Sequence, residues 1–146
     1  MKRVSSYIDF EQITGKAMSI SIISYSLHDT VVEQFNFNPE RGRLIIIIWE
    51  KIVDSTTIIW RQLTISGVRN IEEIEQYQKR VDAVLEKTKR EALGYRIDRF
   101  NYCNKPRSET RNFHLLLDID HLGILTVNCA KFTIQVIDSK AVEFKT

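Results

Sequence analysis

The stretch Leu27-His28-Asp29-Thr30, followed by Val31 to Asn38, Pro39-Glu40-Arg41-Gly42 and Arg43 to Val53, decides the fold. Val31, Phe35 and Phe37 alternate in part with Glu33, Asn36 and Asn38, the pattern of a strand with one wet face. Proline presets φ and glycine tolerates positive φ, so residues 39–42 form the turn of a hairpin. The returning strand, Leu44-Ile45-Ile46-Ile47-Ile48-Trp49, is apolar on both faces and belongs inside a sheet that is covered on both sides. Asp54-Ser55 turns the chain into Thr56 to Ser66, rich in β-branched residues. These segments predict a three-stranded antiparallel meander.

Outward from the meander, a helix is predicted over 70–93. Ile71, Ile74, Tyr77, Val81, Val84, Leu85, Thr88 and Ala92 form one stripe at the 3.6-residue period. Asn70 and Glu73 have the spacing of a capping box. Glu72, Glu73 and Glu75 near the start, with Lys87, Lys89 and Arg90 near the end, complement the macrodipole, and Gly94 suits the stop. The chain then returns to strand at Tyr95, Ile97 and Tyr102, with a loop from Asn104 to Thr110. Phe113, Leu115, Leu117 and Ile119 alternate strictly with His114, Leu116, Asp118 and Asp120. His121-Leu122-Gly123 turns into Ile124 to Cys129, and Phe132, Ile134 and Val136 continue after a bulge expected near Ala130-Lys131. Residues 1–26 read less clearly: Tyr7, Ile8, Phe10 and Ile13 have helical spacing, and Met18 to Ser24 is extended or a second short helix. The expected fold is a single α+β domain over 1–146, mainly antiparallel sheet, with one long helix packed on one face.

Composition narrows the function classes. A chain of 146 residues with 43% hydrophobic and 27% charged residues suits one globular domain, and only 5 glycines and 2 prolines argue against a disordered tract. The 21 basic and 19 acidic residues give a net charge of +2, too small for a whole-protein field that would demand nucleic acid or anionic lipid. Ser5, Ser6, Asp9 and Glu11 interrupt any export-signal core after Met1-Lys2-Arg3, and Met18 to Ile23 is too short to span a bilayer. A cytoplasmic protein with no membrane partner is expected. Cys103 and Cys129 then read as free thiols, Cys129 as a small buried hydrophobe on the face of Leu125 and Val127.

Three residue sets invite chemistry. His28-Asp29 resembles the dipeptide of metal-dependent phosphohydrolases, but that chemistry needs further helix-borne ligands, and only His114 and His121 remain. A structural role follows: Asp29 braces the start of the strand and His28 bonds nearby backbone. His114, Asp118, Asp120 and His121 are an acceptable donor set for a divalent metal, yet alternate strand positions facing water are ordinarily polar. A metal-assisted hydrolase on them is the minor alternative, and neither metal nor cofactor is expected. Glycine-rich phosphate loops, Cys-x-x-Cys pairs and Gly-x-Ser-x-Gly elbows are absent from the sequence. The segment Tyr95 to Arg111 carries Arg96, Arg99, Lys105, Arg107 and Arg111 among Tyr95, Phe100 and Tyr102. Such a surface suits an acidic protein partner, arginine and tyrosine being common interface anchors, or single-stranded RNA through phosphate neutralisation and base stacking.

The runs Leu27-His28-Asp29-Thr30-Val31-Val32, Leu44 to Ile48 and Leu63-Thr64-Ile65-Ser66-Gly67-Val68 resemble a pattern in small β-rich bacterial immunity proteins. These belong to polymorphic toxin and contact-dependent growth inhibition systems. Phe113 to Asp118, turning at Gly123 into Leu125 to Cys129, is similar to their closing hairpin. The resemblance implies a non-enzymatic protein that binds a cognate toxin, often a nuclease, and neutralises it by occlusion. The alternative is an RNA-binding accessory domain using 95–111.

Overall fold

The computed structural model describes residues 27–53, 56–104 and 113–141. Seven strands and one helix occur among them: β1 (Val31–Asn38), β2 (Arg43–Lys51), β3 (Thr57–Ser66), α1 (Ile71–Thr88), β4 (Tyr95–Asn104), β5 (Phe113–Ile119), β6 (Gly123–Cys129) and β7 (Lys131–Ala141). All pairings are antiparallel, in the order β6-β5-β4-β1-β2-β3-β7. The α+β class and the β1-β2-β3 meander are as the sequence predicts. No helix among the described residues is long and apolar enough to cross a membrane.

The sheet has a weak seam. β1 and β4 pair only at Val31–Arg96 and Val32–Tyr95. Beyond that point the two strands diverge, and Leu93 N and Gly94 N donate to Glu33 O and Val32 O at 3.0 and 2.8 Å. The sheet curls so that Phe132 of β7 meets Phe100 and Tyr102 of β4 and Phe113 of β5, with ring centroids 5.1 to 6.2 Å apart. Gly67 permits the corner. At φ 66° it lies where a Cβ would come within 2.7 Å of the Ala130 Cβ, and Ala130 N donates to Ser66 O there. This corner replaces the bulge expected at Ala130-Lys131. The irregularity in β7 falls instead opposite Trp60/Arg61, where Val136 and Asp138 pair and Ile137 is passed over.

The helix closes the open flank between β1 and β6. Ile74, Tyr77 and Val81 are fully buried. Its polar side chains satisfy strand backbone that no neighbouring strand reaches. Gln78 accepts from Phe37 N at 2.9 Å and donates to Phe35 O at 3.0 Å, and the Tyr77 hydroxyl donates to Gly123 O at 2.8 Å. Burial raises the Tyr77 pKa well above the usual phenol range, so the hydroxyl stays a donor.

Both ends of the helix differ from the sequence reading. Asn70 makes no side-chain cap bond. Its amide donates to Thr126 O and accepts from Asn128 N, each at 2.8 Å, and reaches Glu73 only side chain to side chain. The C-terminus comes at Thr88, before Gly94, because Lys89 takes the left-handed conformation and its N–H caps Leu85 O. Continuing the helix to Leu93 would withdraw Leu93 and Gly94 from β1.

Along β2 the inner residues Leu44, Ile46 and Ile48 are completely buried, whereas Ile45, Ile47 and Trp49 on the outer face are half-buried. Arg61, also inward-facing and 1% exposed, pairs with Glu50 at 2.8 Å.

Candidate functional site

The outer face of β4-β5-β6 gathers most of the described candidate residues. Burial of Leu115, Leu117, Leu125 and Val127 turns their neighbours outward. Strand register then builds rows: Arg99–Asp118–Ile124, Asn101–Leu116–Thr126 and His114–Asn128. Asn101, Tyr102, His114, Leu116, Thr126 and Asn128 line an open depression of ≈ 420 Å³. Beside it, Arg99 Nη2 lies 3.9 Å from Asp118 Oδ2, and Ile124 is 53% exposed.

One end of this face is pinned at a bulge in β4, where Asp98 is the extra residue between Ile97 and Arg99. Two turns dock there. From the first, Asp29 N donates to Ile97 O and Ile97 N to Thr30 O, both at 2.9 Å, and Thr30 Oγ1 donates to Leu27 O at 2.8 Å. His28 Nδ1 donates to Asp98 O at 2.8 Å, and Arg96 Nη1 to Asp29 O at 3.3 Å. From the second, Asp120 N donates to Arg96 O at 2.9 Å and the His121 ring packs on Tyr95 at 4.8 Å. Asp29 and His121 both hold positive φ, 69° and 71°, positions where Asn, Asp and His are the commonest non-glycine residues. The Asp98 carbonyl, followed by the Asp29 carboxylate 3.5 Å from Nε2, raises the His28 pKa above its ordinary value.

The structure thus places His28, Asp29, Arg96 and Arg99 on one continuous surface. Lys105, Arg107 and Arg111 lie outside the described residues, in the connection between Asn104 and Phe113, which pair next to His114. The aromatics of the same segment are engaged in packing, and Tyr102 also edges the depression. Phe100 is buried, Tyr102 packs on Phe113 and Phe132, and Tyr95 is half-buried between His121 and Arg90. The donor set weighed for a metal is dispersed. His114 and Asp118 stand four positions apart on one strand, roughly 13 Å. No group of three or more potential ligands occurs among the described residues.

Asn101, Leu116 and Ile124 were not among the sequence candidates. Leu116 carried a signal, being apolar at a position whose strand neighbours His114 and Asp118 are polar. Compared with protein-family models, with curated proteins and with solved structures, the chain finds no match.

Proposed function

We propose that the protein is a non-enzymatic protein-binding module, an immunity protein that holds a cognate toxin on the outer face of β4-β5-β6 and neutralises it by occlusion. The observation that carries this reading is the make-up of that face. Exposed Ile124 and half-buried Leu116 sit among amides and hydroxyls, rimmed by charges of both signs, all on paired strands. Apolar anchors inside a polar rim are the anatomy of a protein interface. A polyanion is served less well. Arg99 is neighboured by Asp118, Arg96 stands beside Asp29, Asp98 and Asp120, Phe100 is buried, and half-buried Tyr102 is packed on Phe113 and Phe132. The similarity of Leu27 to Val32 to immunity proteins supplies the class of partner, with a nuclease the kind of toxin it points to.

Affinity capture by the tagged protein from its own cells tests the proposal. One stoichiometric protein, toxic alone and harmless when co-expressed, is the expected catch. Arg99→Ser with Ile124→Lys, both at exposed positions, should weaken that complex about tenfold or more, the equivalent of at least ~1.4 kcal/mol. RNA captured without a protein, with affinity falling steeply in salt, would transfer the function to the alternative on 95–111.

A further inference from the structure

A second depression lies on the hairpin of β1 and β2, in the middle of the strand order. Asn36, Phe37, Asn38, Arg41, Arg43 and Ile45 line an open depression of ≈ 400 Å³ there. Arg41 and Arg43 are exposed and stand apart from the other arginines. Arg61 pairs with Glu50, Arg80 donates to Leu122 O, Arg90 to Leu93 O, Arg96 to Asp29 O, and Arg99 lies near Asp118. The guanidiniums of Arg41 and Arg43 have no hydrogen-bond or ion-pair partner among the described residues. Their backbone is fixed all the same. Asn38 Oδ1 accepts from Glu40 N and Arg41 N at 3.1 and 3.2 Å, Gly42 N donates to Pro39 O, and Val68 N holds Gly42 O at 3.0 Å.

We infer that Arg41 and Arg43 form a carboxylate clamp for an acidic peptide segment of a protein partner. The planar guanidinium fork matches a carboxylate in two parallel hydrogen bonds, and a rigid turn that presents two such forks lowers the ordering cost of binding. Asn36 and Asn38 add neutral hydrogen-bonding groups. Half-buried Ile45, next along the outer face of β2 from Arg43, offers an apolar seat for a small side chain beside the acid. A nucleic-acid backbone fits less well, because the cations number two, Glu40 stands at the turn, and Phe37, the aromatic of the lining, is half-buried and packed against the core. This inference does not depend on the toxin reading, since it concerns other strands of the sheet.

The test is titration of the isotopically labelled full chain with a blocked five-residue peptide, four glutamates around one central valine, followed by backbone amide chemical shifts. Saturable shifts are expected at Asn36, Asn38, Gly42 and Ile45, with β6 unmoved. Arg41→Ser with Arg43→Ser should weaken binding at least tenfold while leaving the thermal midpoint and circular dichroism unchanged. Glu40→Gln should tighten it about twofold by removing a competing carboxylate. An unresponsive face overturns the inference. So do equal affinities in wild type and double variant, and so does a single-stranded oligonucleotide that binds the same face more tightly than the peptide.

Discussion

Asn70 separates two accounts of how the helix is held. If its side chain capped the helix, aspartate would serve about as well, and alanine would cost about 1 kcal/mol. The structure assigns it another task. Its Nδ2 donates to Thr126 O and its Oδ1 accepts from Asn128 N, both at 2.8 Å, tying the start of α1 to the outer edge of β6. Asn70→Asp keeps the acceptor, loses the donor, and sets a carboxylate oxygen against the Thr126 carbonyl with Glu73 close by. A lost bond is worth about 1 kcal/mol net, and a carbonyl left facing a negative oxygen adds about as much again, giving a cost of about 2 kcal/mol. Asn70→Ala loses both bonds and should cost about 2–3 kcal/mol. For a chain of this size, 2 kcal/mol corresponds to roughly 4–8 °C in thermal midpoint. Urea unfolding of the three proteins side by side reads the order directly. An aspartate variant within about 0.5 kcal/mol of wild type, with alanine clearly lower, would restore the capping account and refute the edge tie.

Truncating the ring that joins the two halves of the curled sheet, Phe132→Ala, should cost about 3–5 kcal/mol by urea denaturation, because Phe100, Tyr102 and Phe113 all pack against it. His28 has a raised folded-state pKa, so its contribution is fully present below the unfolded value of about 6.5 and is lost as pH rises through the higher folded value. The urea midpoint of wild type should therefore decline through that window, and His28→Gln should remove the decline. Proton NMR titration of the ring checks the direction. Burial pushes the Cys129 thiol up to about 12, so in a Cys103→Ser background no alkylation is expected at pH 8 until denaturant is added. Prompt labelling of the folded protein would contradict its placement in the core.

Where short-range pattern decides structure, the sequence was legible. β1 runs Val31–Asn38 as read, and the strict alternation from Phe113 places every second side chain of β5 inside. Three features escaped because they depend on distant partners. The helical period runs on to Ala92, yet the backbone leaves the helix after Thr88 so that Leu93 and Gly94 can pair with β1. The spacing of Asn70 and Glu73 is that of a capping box, but β6 lies within reach of the amide and takes it. β7 follows β6 in sequence and nevertheless pairs with β3, a choice set by the corner at Gly67 and Ala130. The candidate site was half legible. Charged residues at 96 and 99 stand out in composition, whereas the surface they join exists only once β4, β5 and β6 are in register and the Asp98 bulge turns it toward the His28 turn.

The most direct measurement of the central claim is side-by-side affinity capture from the protein's own cells with wild type and the Arg99→Ser, Ile124→Lys variant. One stoichiometric protein is expected on the wild type, harmful to cells when expressed alone and neutralised by co-expression, and it should be lost from the folded variant. The same protein retained equally by both would contradict the placement of the interface on β4-β5-β6, and RNA retained in its place would contradict the protein-binding function.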